Sequence, residues 1–171
     1  MTLIENLIEK AKQNPKRIAL PECEAEKTLL AARQVLDSGI GTPVLVNDPA
    51  VIRETAQKAG VSLEGMEIVD ITDEAKKDEV VARYMSYPKL MLSEKGSKRK
   101  MKNPMYYAMI LEAVGDVDGT FCGHVNTTGD VLLCAQQCIG MQDGVDVPSI
   151  FALTEIPDFE GPEGNLIALA D

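Results

Sequence analysis

The residues best equipped for chemistry lie in one stretch, Gly115 to Asp130 (GDVDGTFCGHVNTTGD), where an apolar run ends at Gly123 and Asn126, Thr127, Thr128 and Gly129 precede a helical segment. In open α/β sheets ligands collect at the carboxyl ends of strands, and the first turn of a helix carries N–H groups without intrahelical partners. Small hydroxyl side chains with glycine at such a junction suit a phosphate. The same residues also have an ordinary structural use, with Thr127 or Thr128 capping the helix and Gly123 and Gly129 turning the chain.

Other candidates are more diffuse. Asp116, Asp118 and Asp130 have the oxygen chemistry of Mg²⁺ ligands, yet their glycine-rich surroundings fit turn and cap duty. Lys95, Lys98, Arg99, Lys100 and Lys102 form the one basic cluster of the sequence. Such a patch attracts a coenzyme bearing a 3′-phosphate and a pyrophosphate, or simply keeps a loop face solvated. Cys122 has no visible base partner, so it reads as a buried strand thiol, and His124 as a structural hydrogen-bonder. Cys23, Cys122, Cys134 and Cys138 make no CxxC pair and read as reduced buried thiols, and a single histidine argues against a zinc site.

These residues need elements to place them. Thr2 and Glu5 make a capping box ahead of an apolar stripe at Leu3, Ile4, Leu7, Ile8 and Ala11, so a helix is expected up to Pro15. Arg17 to Pro21 reads as a strand, followed by a helix from Ala25 to Leu36 that Gly39 closes. Thr42 to Val46 repeats the strand, with Asp48 as N-cap, Pro49 at the first helical position and Gly60 ending a helix from Val51 to Ala59. Glu67 to Ile71 is a third strand and Asp73 to Met85 a further helix. Ser86 to Lys102 is polar and reads as an exposed connection. A helix from Pro104 to Val114, a strand around Gly119 to Cys122, a helix from about Val131 to Cys138, and strands at Ser149 to Leu153 and Leu166 to Leu169 complete the chain.

Strands alternating with helices favour an α/β fold: a mostly parallel sheet with helices on both faces. With 171 residues, 45% of them hydrophobic, the chain reads as a single domain with a real core. Seventeen Lys and Arg against 27 Asp and Glu leave a formal charge of −10, which argues against a general grip on nucleic acid or anionic membrane. No apolar run approaches the roughly 20 residues a bilayer needs, and the start lacks an export signal, so a cytoplasmic protein is expected. No GxxxxGK[ST] or GxGxxG follows an expected strand, which disfavours the common nucleotide-binding folds.

The sequence resembles the phosphate acetyltransferase (phosphotransacetylase) family along nearly its whole length. The residues that carry the likeness are KRIALPECEAEKTLLAA after the first helix, the run from Lys102 through Tyr107 to Ala108, the GDVDGTFCGHVNTTGD block, and VPSIFALTEIP leading into GNLIALAD. The resemblance implies the first domain of an isocitrate/isopropylmalate dehydrogenase-like two-domain fold. It also implies reversible acetyl transfer between coenzyme A and phosphate, with coenzyme A or acetyl-CoA as substrate, no tightly bound cofactor and no metal. On the family's motif, Asn126, Thr127 and Thr128 correspond to a phosphate-side binding turn, and Asp130 to its orienting neighbour.

The sequence departs from the family pattern in three places. Leu132, Leu133 and Cys134 stand where the family carries Leu-Arg-Pro, so a bidentate cation is replaced by an apolar side chain. Tyr87 and Pro88 fall near a second expected arginine, with Lys89 the nearest cation. The family's catalytic serine, arginine and aspartate belong to a C-terminal half that follows the segment matched here, so no catalytic residue is expected within residues 1–171. Two readings follow: a truncated or split subunit, or a catalytically inactive paralog acting as a binding or regulatory module. Both expect a partner, either a second copy in a homodimer or a complementary C-terminal half.

Overall fold

The computed structural model describes residues 2–162 and 164–170. The expected capping box is formed at its start: Thr2 N–H donates to Glu5 Oε2 at 2.9 Å and Glu5 N–H to Thr2 Oγ1 at 3.2 Å, opening α1 over Leu3–Gln13. The apolar stripe of α1 remains uncovered, with Ile4 and Leu7 more than half exposed.

β1 (Lys16–Leu20), α2 (Glu26–Ser38), β2 (Gly41–Asn47), α3 (Pro49–Ala59) and β3 (Glu67–Asp70) follow as alternating units. α2 ends at Gly39, which takes a left-handed φ of 70° as the sequence requires. The chain then runs through α4 (Glu74–Tyr84), α5 (Glu94–Lys100) and α6 (Pro104–Ala113), and returns to the sheet as β4 (Gly119–Thr120) before α7 (Thr128–Cys138). All the pairings of this sheet are parallel and its order is β3-β2-β1-β4.

Because successive strand residues point to opposite faces, the sheet feeds two cores. Leu20 and Leu45 pack with Leu29, Ala32, Ile52 and Ala56 from α2 and α3. Ala19, Val44 and Val46 pack on the other face with Val80 and Tyr84 from α4 and Tyr107 and Ile110 from α6. Burying one such aliphatic side chain is worth about 2 kcal/mol, whereas an exposed ion pair is worth about 0–1 kcal/mol. The two cores, rather than the surface charges, therefore hold the strand ends in place.

Two sequence expectations are corrected. The stretch from Ser86 to Lys102 is not wholly an exposed connection, because it contains α5, capped by Ser93 Oγ on Gly96 N–H at 3.2 Å. Ser97 and Met101 are completely buried there. A helix of under two turns that offers the core one small and one apolar residue carries no readable periodicity. The last two strands do not join the parallel sheet: β5 (Phe151–Glu155) and β6 (Leu166–Ala170) form a separate antiparallel pair. The link between Glu155 and Leu166 is too short for a parallel crossover, which needs about a dozen residues or more.

Candidate functional site

The strand order reverses at β1. β2 lies on one side of it and β4 on the other, so the crevice at the carboxyl ends of β1 and β4 is where an α/β sheet of this kind offers a site. The loop after β1 carries Glu22, and the loop after β4 carries residues 121–127.

Glu22 reaches across this crevice. Its side chain is buried, at 3% exposure, and it accepts from four consecutive backbone N–H groups. Oε1 accepts from Val125 at 3.1 Å and from Asn126 at 2.8 Å, Oε2 accepts from His124 at 2.8 Å, and Gly123 N–H is shared between both oxygens at 3.1 Å. The Asn126 side chain adds Nδ2 to Oε1 at 2.8 Å. Burial works to raise the pKa of this carboxyl, but the donors of Asn126, His124 and Gly123 outweigh it and bring the value down to about 2. Glu22 is thus a fixed anion inside a ring of N–H donors. Gly123 completes the ring with φ 106°, a backbone conformation that side chains oppose.

The loop that presents Glu22 is itself tethered. Asn47, at the end of β2 and nearly buried, donates from Nδ2 to the Pro21 carbonyl at 3.3 Å and to Glu24 Oε2 at 3.1 Å. Cys23 is fully buried and its thiol donates to the Leu20 carbonyl at 2.9 Å.

The four residues singled out from the sequence sit together at the start of α7, with separate tasks. Asn126 turns both its N–H and its side-chain amide to Glu22. Thr127 is the N-cap of α7: its hydroxyl accepts from Asp130 N–H at 3.2 Å and donates to Asp130 Oδ2 at 2.6 Å. Thr128 and Gly129 form the exposed first turn, whose N–H groups have no partner inside the helix. The helix therefore begins at Thr128 and not near Val131. Beside the turn runs a groove of about 340 Å³ lined by Glu22, Lys27, Thr28, Phe121 and His124 among others.

Glu22 escaped the sequence reading. Its partners lie about a hundred positions downstream, and its only local signal is a carboxylate directly after a strand that ends in Leu-Pro.

The remaining candidates are dispersed. Asp116 forms a bidentate pair with Arg83, including Nη1 to Oδ1 at 2.7 Å, and Asp118 accepts from Arg17 N–H at 2.8 Å. Both lie at the amino ends of the strands, away from Asp130, and among the described residues no three His, Cys, Asp or Glu side chains could share a metal ion. In the basic cluster, Lys98 pairs with Asp78 and Glu94, and Lys100 donates to Gln137 at 2.8 Å while lying 4.0 Å over the Tyr106 ring. Lys95, Arg99 and Lys102 line a surface groove of about 550 Å³. Cys23, Cys134 and Cys138 are buried free thiols, whereas Cys122 is only half-buried and lies just past the end of β4.

Where the family resemblance leads one to expect an arginine, Leu133 is 49% exposed on α7; near the second expected arginine, Tyr87 donates its hydroxyl to the Ile139 carbonyl at 2.8 Å. Neighbouring Lys89 donates to the Met141 carbonyl at 2.7 Å.

The family model for phosphate acetyl/butaryl transferases matches residues 2–171. The phosphate acetyltransferase of Clostridium acetobutylicum is 37% identical over 174 residues, covering 100% of this chain and 52% of that protein. That of Thermoanaerobacterium thermosaccharolyticum is 31% identical over 172 residues, again 100% of this chain and 52% of that protein. Among solved structures, the EutD phosphotransacetylase from Staphylococcus aureus aligns with TM-score 0.77 at 25% identity, over 92% of this chain and 49% of that one. The chain spans about half the length of the relatives it matches.

Proposed function

The chain belongs to the phosphate acetyl/butaryl transferase family, and on that premise we propose that it is an α/β domain supplying the phosphate side of a site that moves an acetyl group between coenzyme A and phosphate. In the direction of acetyl-CoA formation, the coenzyme A sulfur attacks the carbonyl carbon of acetyl phosphate. A C–S bond forms, the C–O bond to phosphate breaks, the thiol proton passes to a base, and inorganic phosphate leaves. The first turn of α7 holds the phosphate with the N–H groups of Thr128 and Gly129 and the Thr128 hydroxyl, while Asn126, Thr127 and Asp130 fix the turn.

One observation carries this reading: the Asn126 to Asp130 turn is locked at the β1/β4 crevice with Thr128 and Gly129 facing outward. The base and the cations of the reaction come from outside residues 1–171, in the half of the family's length that this chain does not span; a second copy could cover the turn but would not supply them. Phe121, Val125 and Leu133 support such a cover, since they are 72%, 53% and 49% exposed around the turn and offer apolar surface to a covering partner.

The test is acetyl-CoA formation from acetyl phosphate and coenzyme A, by the chain alone and with a separately produced C-terminal half, with Thr128→Ala in parallel. Turnover that needs the second half and drops at least about tenfold in Thr128→Ala is expected, since the variant removes one donor to a charged group. Turnover untouched by the variant would remove the phosphate role from the turn. Leu133, an exposed leucine in place of an arginine, favours a second reading as an inactive binding module. Phosphate or coenzyme A binding without turnover, even with the second half present, would select it.

A further inference from the structure

We infer that Glu22 is a positioning residue of the phosphate-side turn: it permanently fills the ring of N–H donors from Gly123 to Asn126, so that a substrate phosphate is received by the next turn, at Thr128 and Gly129, and never by the ring itself. This rests on the function proposed above. The loop from Gly123 to Asn126 has the form of an anion nest, and by itself it would compete for any phosphate that reached the crevice. In this chain the nest is already occupied, since each of its four N–H groups points at one carboxylate at 2.8–3.1 Å.

The occupant is also held from behind. Its loop is tied to β2 through Asn47, and the neighbouring Cys23 is fully buried, so the Glu22 backbone is fixed beneath the nest. Asn126 links the nest to the helix. Its two donors end on Glu22 Oε1, and the next residue, Thr127, is the cap that sets the direction of α7. The position of Thr128 therefore follows from the position of Glu22, through three consecutive residues. Substrate phosphate would otherwise face a choice of two adjacent donor sets, one of which points into the crevice. Glu22 removes that choice.

The experiment reads the backbone amides of the full chain by NMR while inorganic phosphate is added, in the parent protein, Glu22→Ala and Glu22→Gln, each with and without sodium formate. In the parent, phosphate is expected to shift residues 128–130 and leave 123–126 in place. In Glu22→Ala the signals of 123–126 move, and the phosphate response of 128–130 weakens by about tenfold, the effect of one charge-assisted contact. Formate, a carboxylate small enough to enter the vacated ring, is expected to return both sets of signals towards the parent positions. A purely structural loss would not be restored by a free ion. Should Glu22→Ala fail to fold, Glu22→Gln keeps the volume and replaces half of the acceptor by a donor, so the same weakening is read there.

Phosphate shifts at 123–126 in the parent would overturn the inference, because the anion would then be displacing Glu22. So would an unchanged response of 128–130 in both variants, or formate that leaves Glu22→Ala unaltered. If phosphate moves no amide in the parent, the proposed function fails. The positioning role is then still decided by whether formate returns residues 127–130 to their parent positions.

Discussion

Asn126 holds Glu22 twice, through its backbone nitrogen and its side-chain amide, each at 2.8 Å from the same carboxylate oxygen and 104 positions away in sequence. This pair joins the first strand of the sheet to its last helix. It makes the electrostatics of one buried carboxylate a property of the whole crevice.

Stability should therefore depend on pH in the acid range. The Glu22 carboxyl ordinarily titrates near 4.5 and is held at about 2 in the folded chain. A depressed folded value means that the stabilisation is fully present above the ordinary range and is lost as pH falls from about 4.5 through 2. The shift corresponds to a stabilisation on the order of 3 kcal/mol. Urea unfolding of the parent and of Glu22→Gln between pH 7 and pH 3 should show the parent losing its advantage on acidification. A gap between the two that is the same at every pH would refute this.

Gly123→Ala should destabilise the chain by about 1–3 kcal/mol through backbone strain alone. The φ of 106° is the cause, since a Cβ built there meets nothing closer than Val131 Cγ2 at 4.0 Å. Thermal unfolding of the variant would check this, and an unchanged midpoint would mean that the loop relaxes without loss.

Thr127→Ala removes the N-cap of α7 and should cost about 1 kcal/mol, while Thr127→Ser retains the hydroxyl and should cost much less. Faster hydrogen exchange at the Asp130 amide in Thr127→Ala, and not in Thr127→Ser, would locate the effect in the first turn.

Two buried tyrosines should respond in opposite ways. The Tyr84 hydroxyl donates to the Cys138 carbonyl at 2.8 Å, whereas the Tyr107 hydroxyl is buried with no hydrogen-bond partner among the described residues. Tyr84→Phe should lose about 1 kcal/mol, and Tyr107→Phe should be neutral or slightly stabilising, because an unsatisfied polar atom is removed. Equal losses in urea unfolding would show that Tyr107 has a partner in solution.

The thiols should be slow to react in the folded chain at pH 8. Burial pushes Cys23 up to about 12 and, together with the charges of Glu22 and Glu112, Cys122 up to about 11. The hydrogen bond with Cys138, and then burial, push Cys134 up as well. Cys138 is shielded by its complete burial, so a disulfide reagent should modify all four cysteines quickly only after denaturation. A fast-reacting native thiol would contradict this.

Local rules made much of this protein legible in its sequence. The capping box at Thr2 and Glu5, Asp48 with Pro49, and Gly39 and Gly60 each fix a helix end through neighbours within a few residues, and the strand-helix alternation fixes a parallel sheet. The same local chemistry placed Asn126 to Asp130 at the start of a helix. Tertiary structure alone decided the rest. Glu22 became the anion of the crevice because the order β3-β2-β1-β4 brings the end of β1 beside the end of β4, a juxtaposition that no spacing in the chain encodes. α5 became a helix by burying Ser97 and Met101, and β5 and β6, which form a sheet of their own, pair antiparallel because their short connection does not allow a parallel crossover. Local hydrogen bonds are written in adjacent residues, whereas which buried donors meet which carboxylate is set by the packing of elements about a hundred residues apart.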